Sequence, residues 1–138
     1  MDYTSIFQYM ADRHIEGHDI IMARNFKFPL PIFIKDRVSV VPSEDKFCKL
    51  LAEYRATLEL AGAVRVEVKQ LDAQHQKGDG VSIAVVKSFY NPQGMKVCST
   101  DITYFGRMVD GKATFHMVEC TDFTSLAMTD DVTGLQKV

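Results

Sequence analysis

Residues 95–123 read MKVCSTDITYFGRMV, DG, KATFHMVECTDF: two runs with the period-two alternation of strands, joined by Asp110-Gly111. Asp-Gly between such runs signals a two-residue hairpin, because both central positions of that turn need positive φ. On that turn Val109 faces Lys112, and the pairing continues as Gly106 with Phe115, Tyr104 with Met117 and Ile102 with Glu119. Upstream, Asn91-Pro92-Gln93-Gly94 reads as a four-residue turn. Tyr90 then faces Met95, Val85 faces Thr100, Ile83 faces Ile102 and Val81 faces Tyr104. Lys77-Gly78-Asp79-Gly80 marks one more junction. Four strands are expected, over about 63–75, 81–90, 95–109 and 112–123, with no helix among them.

Cross-strand partners share a face of the sheet. One face collects Val81, Ile83, Val85, Phe89, Ile102, Tyr104, Phe115 and Met117, with Thr100, Glu119 and Thr121 as its polar members. It is the expected core side. The other collects Ser82, Ala84, Val86, Ser88, Ser99, Asp101, Thr103, His116, Val118, Cys120 and Asp122. That set is too small and mixed for a plain solvated face, and a sheet covered on both sides loses clean alternation. It predicts a homodimer through the outer sheet face, by two-fold symmetry.

The first half is helical in character. From Ser5 to Met22, Phe7, Met10, Ala11, His14, His18, Ile21 and Met22 recur at helical spacing, with Gly17 a place for a bend or break. Pro29 and Pro31 confine the following apolar stretch to an edge strand or an irregular entry, which Lys35-Asp36 turns into Arg37–Val41. Ser43 then N-caps a helix with Glu44 and Asp45 in its first turn. Phe47, Leu50, Leu51, Tyr54, Leu58 and Ala61 form its stripe, and Gly62 is its left-handed stop.

At 138 residues the chain is one domain by size, and 46% apolar with 25% charged residues is ordinary globular composition. A net charge of −2 gives no electrostatic basis for binding nucleic acid or an anionic membrane. The N-terminus carries no basic-then-apolar signal pattern, and the apolar runs are short for a membrane span. Cys48, Cys98 and Cys120, odd in number and far apart, read as reduced core thiols of a cytoplasmic protein. The tail after Phe123, with Thr129-Asp130-Asp131, reads either as a partner-contacting extension or as mobile chain.

This order of elements, with Pro29-Leu30-Pro31 after the first helix and Ser43 to Gly62 as the helix entering the sheet, resembles the nuclear transport factor two-like superfamily, also called SnoaL-like. Gly111-x-x-x-Phe115 looks like its Gly-x-Trp-x-Ile pattern, with Ala113 where the aromatic is common. The resemblance implies an α+β, cystatin-like cone: a curved antiparallel sheet wrapped around N-terminal helices, enclosing a central pocket. Its members include dimeric isomerases, cyclases and dehydratases, but also dioxygenase small subunits and binding domains, so the fold leaves activity open.

Within that frame Glu119 is the one carboxylate on the expected core face of the last two strands. An apolar setting raises a carboxyl pKa and suits it to acid–base work. His14, on the first helix, is its expected partner across the pocket. His18, Tyr54, Tyr104, Ile102, Phe115 and Met117 are expected to line the ligand site, with Tyr9 a further possible hydroxyl donor. The alternative for each His or Tyr is ordinary packing with a satisfied hydrogen bond. His14 and His18 lack the Glu spacing of a zinc-protease helix and a third ligand, so no metal is expected. No phosphate-cradling loop or nucleophile elbow is present, and no cofactor is expected. Three functions remain open: a binding domain for a small hydrophobic molecule, a cofactor-free isomerase, cyclase or dehydratase using Glu119 with His14, and an accessory subunit.

Overall fold

The computed structural model describes residues 1–35 and 37–123, and the side chains of all of these except 121–123. The tail after Phe123, read either as a partner-contacting extension or as mobile chain, lies outside the described residues, as does the Thr121 side chain. Element order is α1 (Thr4–Ile15), α2 (Asp19–Ala23), β1 (Leu30–Ile34), β2 (Arg37–Val41), α3 (Glu44–Leu60), β3 (Arg65–His75), β4 (Gly80–Tyr90), β5 (Lys96–Val109) and β6 (Lys112–Phe123). The strands form one curved, unclosed sheet in the order β2-β1-β6-β5-β4-β3. All neighbours are antiparallel except β1 and β6, which run parallel and make the sheet mixed. No described helix is long and apolar enough to cross a membrane.

The first helical stretch is broken, not bent. Gly17 takes φ +88°, His18 N–H bonds to the Arg13 carbonyl (2.8 Å) and Gly17 N–H to that of His14 (3.1 Å). That is a Schellman stop, which a glycine in the left-handed region makes cheap. The same pair of bonds ends α3, from Ala63 to Leu58 and from Gly62 to Glu59. At the other end of α3, the Ser43 hydroxyl accepts from Lys46 N–H (3.2 Å), as its N-cap position requires.

Two interactions fix the helices on the concave side. Gln8 of α1 donates to the Val66 carbonyl (2.9 Å) and accepts from Val68 N–H (2.8 Å). One side chain thus pairs with the free edge of β3 as a neighbouring strand would, occupying polar groups that invite aggregation. Arg55 of α3 holds Asp19 of α2 bidentately (2.5 and 3.1 Å) and also donates to the His14 carbonyl (3.0 Å). It thereby ties the end of α1, the start of α2 and α3 together. Inside, Phe7, Phe26, Phe47, Tyr104 and Phe115 stack in an aromatic cluster, with ring centroids 4.7 Å apart at the closest pair, Phe7 and Tyr104.

The register departs from expectation in two ways with different consequences. Between β4 and β5 the loop holds Asn91 to Met95, the Asn91 carboxamide accepting from Gln93 and Met95 N–H, and a further irregularity follows at Phe89/Tyr90. Val85 therefore pairs with Ile102 and Ile83 with Tyr104. That is a displacement of two residues, which leaves every side chain on its expected face. Between β5 and β6 the first pairs are as expected, from Val109–Lys112 to Gly106–Phe115. A bulge then intervenes, and Phe105 pairs with Met117, Tyr104 with Val118, Thr103 with Glu119 and Ile102 with Cys120. A one-residue slip exchanges faces. Val118 and Cys120 enter the core, whereas Met117 and Glu119 move to the outer face, where Glu119 is exposed.

Candidate functional site

The slip in β6 removes the expected acid from the concave side. Glu119 and His14 lie on opposite sides of the sheet, so the acid–base pair read from the sequence is not formed. Met117, half-buried beside Phe105 on the outer face, does not line the interior either. His18 is the N-cap residue of α2, with 57% of its side chain exposed and its imidazole 4.0 Å from Glu16. It belongs to the surface because the chain reverses at Gly17. Phe115 and Tyr104 are fully enclosed in the aromatic cluster, and Ile102 is buried next to them on the core face.

His14 and Tyr54 do come together. The last turn of α1 carries His14 inward, and its ring lies 5.6 Å from that of Tyr54 on α3. The imidazole Nε2–H donates to the Leu51 carbonyl at 2.7 Å, which fixes the tautomer and leaves Nδ1 as an acceptor. Burial pushes the His14 pKa down to about 4, against the opposing pull of the Leu51 bond, so the ring is neutral at physiological pH. Tyr54 packs edge-on against Phe89 at 6.2 Å, and burial raises its phenol pKa above the usual range.

The residue that sequence reading left out is Lys87. It sits on the concave face of β4, between Val68 of β3 and Thr100 of β5, and is only 5% exposed. Its ammonium lies 5.8 Å from the centroid of the Tyr104 ring, within reach of a cation–π attraction. Among the described residues no carboxylate pairs with it. Its charge depresses the His14 pKa and opposes the burial that pushes the neighbouring Cys120 thiol up to about 11. The signal was present in the sequence: strict alternation from Val81 to Phe89 puts position 87 on the core face.

The cluster thus consists of a neutral imidazole, an un-ionised phenol, an un-ionised thiol and an ammonium, set within an apolar shell. It supplies hydrogen-bond donors and a positive charge but no carboxylate base. Among the described residues no group of three metal-ligating side chains exists. Two open surface clefts, of about 380 Å³ beside Arg55 and Val64 and about 400 Å³ beside Lys27 and His116, are lined by none of the expected site residues.

No family model and no curated protein matches the chain. Solved structures do. An NTF-2 like protein of unknown function from Shewanella oneidensis MR-1 superposes with a TM-score of 0.59 at 9% identity, covering 82% of this chain and 90% of that one. A domain of unknown function with a cystatin-like fold from Nostoc punctiforme PCC 73102 gives 0.62 at 11% identity, covering 88% and 78%. An NTF2-like protein with the same fold from Novosphingobium aromaticivorans gives 0.56 at 9%, covering 83% and 77%. Helix order, a curved six-stranded sheet and these superpositions agree: the chain has the cystatin-like α+β fold of the NTF2-like, or SnoaL-like, proteins.

Proposed function

We propose that this chain is a binding domain for a small, largely apolar organic molecule, held between α1, α3 and the concave face of the sheet against His14, Tyr54 and Lys87. The observation that carries this reading is the convergence of polar side chains on a face that is otherwise Val, Ile, Phe and Tyr. A few placed polar groups in an apolar surround are what orients a small ligand. Glu119 faces away and, among the described residues, no second acid replaces it, which favours binding over an acid–base isomerase, cyclase or dehydratase. The test is an amide NMR titration with N-phenyl-1-naphthylamine, an apolar uncharged probe. Saturable shifts centred on His14, Tyr54 and Lys87 are expected. Shifts confined to the two surface clefts, or none, would overturn the reading and favour an accessory domain with a filled interior.

We also propose that the domain works as a homodimer through the outer sheet face. What supports this reading is the set of Met117 opposite Phe105, with Ala84 and Val86, four apolar side chains left half-buried on that face among small polar ones. Sedimentation at micromolar concentration should give a dimer, and Phe105→Glu should dissociate it. A wild-type monomer at about 50 µM, far above the dissociation constant of a stable dimer, would contradict it.

A further inference from the structure

We infer that two copies of this chain meet with their strands reversed, Glu119 of each entering the cleft of about 400 Å³ at the β5–β6 hairpin end of the other, against Lys27, Arg107 and His116. This rests on the dimer proposed above and names which residues of one copy meet which of the second. The charges on the outer face are separated along its strands. Among the described side chains of β5 and β6, Asp101 and Glu119 stand toward one end of that face, Arg107 and Lys112 toward the other. The apolar pair of Phe105 and Met117 lies between them.

The cleft holds donors in want of an acceptor. Arg107 gives Nη2 to the Asp79 carboxylate at 3.0 Å and keeps Nε and Nη1. Among the described residues, the side chains of Lys27, Thr114 and His116 have no hydrogen-bond partner. The walls are fixed by backbone bonds, from Lys27 N–H to the Phe115 carbonyl (2.8 Å) and from Met108 N–H to the Asp79 carbonyl (3.1 Å). Glu119 is exposed and makes no ion pair among the described residues.

Two like faces meet front to front about a two-fold axis lying in the plane between them. An axis along the strands would lay each end of the face on the same end of the partner, base on base and acid on acid. An axis across the strands exchanges the ends. Arg107 lies two residues after Phe105 on β5; Thr103, the cross-strand partner of Glu119, lies two before it. At the rise of a strand each is about 7 Å from Phe105. With the axis over the Phe105–Met117 row, the Thr103–Glu119 row of one copy therefore falls on the Arg107–Thr114 row of the other. In this arrangement β6 lies over β6. Glu119 arrives beside Thr114 and His116, and next to Lys27, whose segment runs alongside β6 at Phe115. The contact forms twice per dimer, whereas like charges brought together cost affinity.

The experiment is sedimentation equilibrium of Glu119→Lys and Lys27→Glu, alone and as an equimolar mixture. Both positions are exposed in the single copy, so neither substitution touches the core. Each variant alone should have a dimer Kd about tenfold above wild type, because its homodimer holds two like-charged pairs. The mixture should recover the wild-type Kd within about twofold, since the heterodimer restores opposite charges at both contacts. Either variant dimerising as wild type does, or a mixture no tighter than its components, overturns the inference and leaves the dimer standing. A wild-type monomer at about 50 µM overturns both.

Discussion

Replacing Gly106 by Ala should destabilise the protein by about 3 kcal/mol, near the upper end of what overpacking a tight site costs. A Cβ at this position would stand 2.1 Å from the Thr114 carbonyl oxygen, 2.7 Å from Phe115 Cα and 2.9 Å from Phe115 Cδ1. Two of these atoms are backbone of β6, so no rotamer change relieves the contact. Either β5 and β6 separate or the Phe115 ring leaves the aromatic cluster it shares with Phe7, Phe26 and Tyr104. Gly106 also lies directly beside the bulge that turns Val118 and Cys120 inward. The same substitution therefore presses on the register that keeps Glu119 in solvent. Denaturant unfolding of Gly106→Ala measures the loss, with a fall in Tm of about 10 °C expected for a domain of this size. A variant within 0.5 kcal/mol of wild type would show that the close approach of the two strands is not needed.

The bulge is also where sequence reading ran out, and the reason is local. The hairpin at Asp110-Gly111 was legible because that dipeptide has a conformational preference of its own, and its register was right for every pair down to Gly106–Phe115. Beyond that, Phe115-His116-Met117-Val118-Glu119-Cys120 was read as unbroken alternation. It holds two adjacent apolar residues, Met117 and Val118, and the phase of the pattern changes between them. Placing the extra residue there puts Phe115, Val118 and Cys120 inside and His116 and Glu119 outside, as the structure has it. A glycine opposite an aromatic residue, Gly106 against Phe115, is the companion signal of close strand approach. The parallel pairing of β1 with β6 had no local signal, because residues far apart in sequence make it. The break at Gly17 was legible as a weak point but not as a complete stop, since the bonds that close it are backbone bonds any sequence can make. Lys87 was hidden by the habit of treating lysine as solvated, although its parity said otherwise.

His14 should make the protein sensitive to mild acid. In the unfolded chain its imidazole titrates near its ordinary value of 6.5, whereas burial in the fold holds it down to about 4. Between those values the unfolded state binds a proton that the folded state does not, so stability rises with pH across this interval and falls as pH is lowered through it. The loss begins as pH drops below about 6.5 and is complete below about 4. The separation of the two values corresponds to about 3 kcal/mol. The structural cause is twofold: the ring is 3% exposed, and the positive charge of Lys87 opposes a second one on the imidazole. Asp19 pulls the other way but is itself held by Arg55. His14→Gln separates this contribution from the rest, because its carboxamide N–H can still donate to the Leu51 carbonyl and has no proton to gain. Urea unfolding between pH 4 and 7 should show wild-type stability falling steeply toward acid and His14→Gln falling much less. Glu16 and Asp2, whose pKa values are lowered by bonds to Arg13 and Thr4, act in the same direction. Their effect lies at lower pH and cancels in the comparison. Parallel pH profiles for the two proteins would show that the imidazole carries its proton into the fold, and the neutral His14 acceptor of the proposed site would fall with it.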